Sequence, residues 1–78
     1  MTDLRFRHIR EAVERLPADD VLRMMDPDCD YDLERQSHEA LDAGCFTDEV
    51  AAAINKSRAY RIDAARTALI AKLTETNS

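Results

Sequence analysis

The chain has no tryptophan, one glycine, two prolines and two cysteines in 78 residues. So few turn formers argue against a β fold, which needs glycine, asparagine or proline at each tight reversal. The same scarcity, with a hydrophobic fraction of 45%, argues against disorder. Aromatic residues make up only 5%, and much of the apolar count is alanine, so a single domain with a thin core is expected. No apolar run approaches the ~18 residues that span a bilayer. The basic residues near the N-terminus, Arg5 and Arg7, are followed by no apolar stretch, so neither a signal peptide nor a membrane partner is expected, and the expected location is cytoplasmic. There, Cys29 and Cys45 are expected to be reduced thiols. Their spacing with His8 and His38 matches no common zinc pattern. A chain this short rarely encloses a pocket. The expectation is therefore no metal, no cofactor, no catalytic residue and no enzyme activity.

What is abundant is negative charge in one place. The net charge is −5. Residues 17–46 hold nine acidic and two basic side chains, a net −7, while the segments before and after each come to +1. A localised field of one sign steers oppositely charged partners and repels phosphate backbones.

The punctuation predicts four helices. Thr2 is a fitting N-cap for the first, whose apolar face recurs at Phe6, Ile9, Val13 and Leu16. Pro17 ends it, and Asp19 and Asp20 suit the first turn of a short second helix over 18–25. Asp26 and Pro27 announce a third, expected over about 30–43 and stopped by Gly44 in left-handed geometry. Thr47 caps the last helix, with Asp48 and Glu49 in its first turn. No glycine or proline follows, so that helix either continues to Leu73, with 74–78 as a frayed tail, or breaks at Asn55-Lys56-Ser57. The apolar direction turns by roughly 90° between Val50/Ile54 and Ile62/Leu69/Leu73 at about 100° per residue. Asparagine and serine are weak breakers, which favours a straight helix whose second half serves a second subunit. The expected fold is all-α, a small bundle of about four helices with a long C-terminal one, paired as a homodimer through Ile62, Leu69 and Leu73. The alanine stripe Ala53, Ser57, Ala64, Ala68 and Ala71 permits close helix approach, either as packing within the chain or as a dimer seam.

Three constellations bear on chemistry. Asp28, Asp30, Asp32, Glu34, Gln36 and Glu39 have the oxygen spacing of a calcium loop, but Leu33 stands where the turn needs glycine. Residues 36–53 have small and turn residues placed as in a helix-turn-helix, but Asp48 and Glu49 would face phosphate. Lys56, Arg58 and Arg61 read best as ion-pair partners of the acidic block, within the chain or between subunits. The leading expectation is a small acidic interaction module that regulates or inhibits a protein with a basic surface. Asp26, Asp28, Asp30, Asp32 and Glu34 act as its contact residues, imitating nucleic-acid phosphates. A helix-turn-helix transcription regulator is the alternative, although nucleic acid is disfavoured as a partner; a self-assembling structural subunit is a further one.

Overall fold

The computed structural model describes residues 4–76. Four helices account for nearly all of them: α1 (Leu4–Arg15), α2 (Ala18–Met25), α3 (Cys29–Asp42) and α4 (Asp48–Thr76). No strand occurs among the described residues. The cap expected at Thr2 lies outside them.

Local chemistry explains the boundaries. Pro17 lacks an N–H and restricts Leu16 before it, so α1 ends at Arg15; its own ψ of 144° is extended, and its carbonyl accepts from Asp20 and Val21 to start α2. Asp26 closes α2, its N–H donating to the Leu22 carbonyl at 2.7 Å. It does not serve as the side-chain cap of α3, whose N-cap position is Asp28. At the other end of α3, Gly44 has φ +72°. Gly44 N–H donates to Leu41 O and Cys45 N–H to Ala40 O, a reversal that needs the left-handed residue. Thr47 caps α4 through Oγ1, which accepts from Val50 N–H at 3.2 Å.

α4 does not break at Asn55-Lys56-Ser57, and it stays helical through Thr74–Thr76, inside the stretch expected to fray. Its 29 residues span about 43 Å at 1.5 Å per residue. α1, α2 and α3 all pack on it. The result is elongated, 54 × 19 × 17 Å with a radius of gyration of 16.0 Å, against about 11–12 Å for a compact chain of this length.

The core lies between α4 and the two middle helices. Val21, Leu22, Cys29, Leu33 and Ala65 form it, flanked by Leu16, Met25, Ile54 and Ile62. Val13 and Leu69 are buried as well. The turn in α4's apolar direction thus has a cause within the chain, because different helices cover successive parts of α4. Ile62 and Leu69, expected at a subunit seam, are engaged in this chain's own packing; Leu73 is 37% exposed. Phe6, expected to join the face of α1, is 40% exposed.

Candidate interaction surface

Two arginines on α4 organise the acidic block. Arg61 grips Asp26 with both arms, Nε to Oδ2 and Nη2 to Oδ1, each at 2.7 Å. Its remaining Nη1 donates to Asp32 Oδ2 at 3.3 Å. One turn earlier, Arg58 donates to Asp30 from Nε and to Asp19 from Nη2, both at 2.9 Å. A guanidinium presents a planar fork of donors, so one side chain can hold two carboxylates from different helices. The Arg61 group is half-shielded from water, whereas the acids facing Arg58 are largely exposed. The Arg61 hydrogen bond therefore holds the Asp26 carboxyl below its ordinary pKa, against a smaller upward push from burial. The carboxylates in turn raise the pKa of both arginines. A third arginine, Arg66, donates from Nη1 to the carbonyls of Val13 at 2.6 Å and Leu16 at 3.0 Å, satisfying the open C-terminal end of α1.

The five acids expected to form one contact row are therefore divided. Asp26, Asp30 and Asp32 turn inward to α4. Glu34 stays on the surface, 3.6 Å from His38. Asp28 is exposed and enters no ion pair among the described residues. Sequence reading placed Arg58 and Arg61 among the partners of the acidic block but did not single out Asp19 or Arg66. A signal for the pairing was present: α3 and α4 are joined by a five-residue turn, so residues about equally far from that turn face each other.

That pairing also shows the shape of the corner at 36–53. Asp30 and Asp32 lie far back from the turn along α3, and they meet Arg58 and Arg61 equally far along α4. The two helices form an antiparallel hairpin rather than the splayed pair that enters a DNA groove.

Negative charge remains unneutralised at the closed end of this hairpin. Residues 36–55 contain Glu39, Asp42, Asp48 and Glu49 and no lysine or arginine. None of these four acids enters an ion pair among the described residues. Beside them in the chain, Leu41 is 56% and Phe46 40% exposed, and residues 41–49 are exposed throughout. This end combines large apolar groups with a field of one sign, the composition of a protein-binding patch.

The cysteines are both free. Cys29 is fully buried, which raises its thiol pKa, and Cys45 is exposed in the turn. Because 29–42 is a continuous helix, its oxygens radiate around an axis and cannot wrap a cation as a calcium loop does. Among the described residues no group of three or more His, Cys, Asp or Glu side chains converges. No helix among them is long and apolar enough to cross a membrane. Set against known protein families, characterised proteins and solved structures, the chain matches none of them.

Proposed function

We propose that this chain is a small, cytoplasmic, acidic interaction module that pairs with itself and regulates or inhibits a partner protein bearing a basic surface. The observation that carries the reading is the hairpin end, where four carboxylates that enter no ion pair among the described residues lie beside exposed Leu41 and Phe46 in the chain. Such a surface attracts a partner by charge and holds it by apolar contact. Asp28, at the opposite end of α3, and Glu34 add exposed negative charge outside the hairpin end. Asp26, Asp30 and Asp32 contribute less directly, since a partner would have to displace Arg58 or Arg61 to reach them fully. Imitation of phosphates therefore rests mainly on the carboxylates that the fold leaves facing water.

The test is capture from a bacterial lysate with tagged protein at low and high salt, read by mass spectrometry. A basic protein bound at low salt and lost at high salt supports the reading, because surface charge is screened. Binding to duplex DNA in place of protein would instead support the transcription-regulator alternative. Its case is weakened by the antiparallel hairpin and by the carboxylates already holding Arg58 and Arg61. The structural-subunit alternative draws on one observation, an uncovered side of α4 around the exposed Tyr60.

A further inference from the structure

α4 carries its own helices on one side, around Ile54, Arg58, Arg61, Ile62 and Ala65. At about 100° per residue, the opposite side presents Ala53, Lys56, Tyr60, Asp63, Ala64 and Thr67. All six are exposed. Tyr60 is 75% exposed, more than any other large apolar side chain among the described residues. From Tyr60 to Ala71 the surface dips into an open groove of about 500 Å³. Apolar residues are thus distributed around α4, the pattern of a helix covered on more than one side.

The spacing on this side points to another helix as the cover. Ala53, Ser57, Tyr60, Ala64 and Thr67 alternate steps of four and three, the rhythm of a helix–helix seam. Lys56 and Asp63 flank that seam on the same edge, one heptad apart and opposite in sign. Neither enters an ion pair among the described residues. In a parallel pair of helices, the position across the seam from Lys56 would be Arg61 of the partner subunit, a guanidinium already committed to carboxylates of its own chain, so Lys56 would meet no acid there. In an antiparallel pair, Lys56 meets Asp63 of the partner subunit, and the two-fold axis makes the contact twice. The same register sets Tyr60 against Ser57 of the partner subunit, a large side chain against a small one.

We propose that α4 pairs antiparallel with α4 of a second copy across this face. Lys56–Asp63 contacts set the register, and Tyr60 fills the space above Ser57 of the partner subunit. A two-fold arrangement of this kind closes on itself and stops at the dimer. It gives the self-pairing proposed above a face and a register, and it rests on that half of the reading.

The test uses the full chain in a Cys45→Ala background, which removes the exposed native thiol. Ala53→Cys and Ala64→Cys variants are prepared separately, mixed and oxidised, and the mass of the unmodified chain is measured by light scattering over a concentration series. The expected result is a dimer mass and a disulfide joining position 53 of one copy to position 64 of the other, formed only in the mixture. Lys56→Asp should weaken the dimer about tenfold, since it replaces two attractions by two repulsions. Exchanging both charges, Lys56→Asp with Asp63→Lys, should restore it. A dimer mass without the 53–64 disulfide, or with disulfides in each single variant alone, overturns this face and leaves self-pairing standing. A monomer mass at every concentration overturns both. Circular dichroism of each variant separates lost pairing from lost folding.

Discussion

Arg61 forms the better shielded of the two arginine–carboxylate clusters. It ties the end of α2 and the start of α3 to the middle of α4 through Asp26 and Asp32. Removing it leaves two half-shielded carboxylates facing each other with no cation between them. Arg61→Ala should therefore destabilise the fold by about 1–2 kcal/mol in urea unfolding, and a lysine should recover only part of that, lacking the fork. A change within the error of the melt would mean that the contact is screened as an ordinary surface pair. The pH dependence has a definite sign. Asp26 has its pKa depressed on folding, so the stability it contributes is fully present above the unfolded carboxylate value of about 4 and disappears as pH falls through the lower folded value. Unfolding midpoints should drop below about pH 4 in the native chain, and the drop should shrink in Asp26→Asn. An identical acid profile in the two would contradict the Arg61 assignment. The thiols divide in the same spirit. Iodoacetamide should add once to the native protein, at Cys45, and a second time only in denaturant, because Cys29 has no exposed surface.

At the scale of elements, the C-terminal end of α1 is tied to α4 through Arg66. That side chain reaches the Val13 and Leu16 carbonyls where α1 ends. Arg66→Ala should raise amide exchange selectively in α1, with α3 and the middle of α4 protected as before. A uniform rise along the chain would show that Arg66 supports the whole core instead. Elements were also where the sequence was most informative. Pro17, Gly44 and Thr47 act through their own backbone or their immediate neighbours, so the ends they set could be read before any fold was known. The continuity of α4 followed from the weak breaking power of Asn55 and Ser57, whereas what covers its second half, this chain's own helices, could not be read from those residues. Asp26 was legible as a boundary but not in its role: its carboxylate serves a residue on another helix. The inward turn of Asp30 and Asp32 was hidden for the same reason, since spacing along the chain says nothing about which side of a helix meets an arginine.

On the scale of the whole molecule, the charge is sorted along a rod. Positive groups on α4 neutralise the middle of the acidic block, and the hairpin end keeps its field beside Leu41 and Phe46. The overall net charge of −5 is thus less informative than where the uncompensated part sits. Reversing it there need not harm folding. Glu39 and Asp42 lie in the last turn of α3, where cations suit the helix dipole. The measurement that bears most directly on the proposed function is a paired capture experiment with the wild type and a Glu39→Lys/Asp42→Lys variant, at low and high salt. The account predicts a basic protein held by the wild type at low salt, released at high salt, and not held by the variant. The same protein captured equally well by both forms would contradict it.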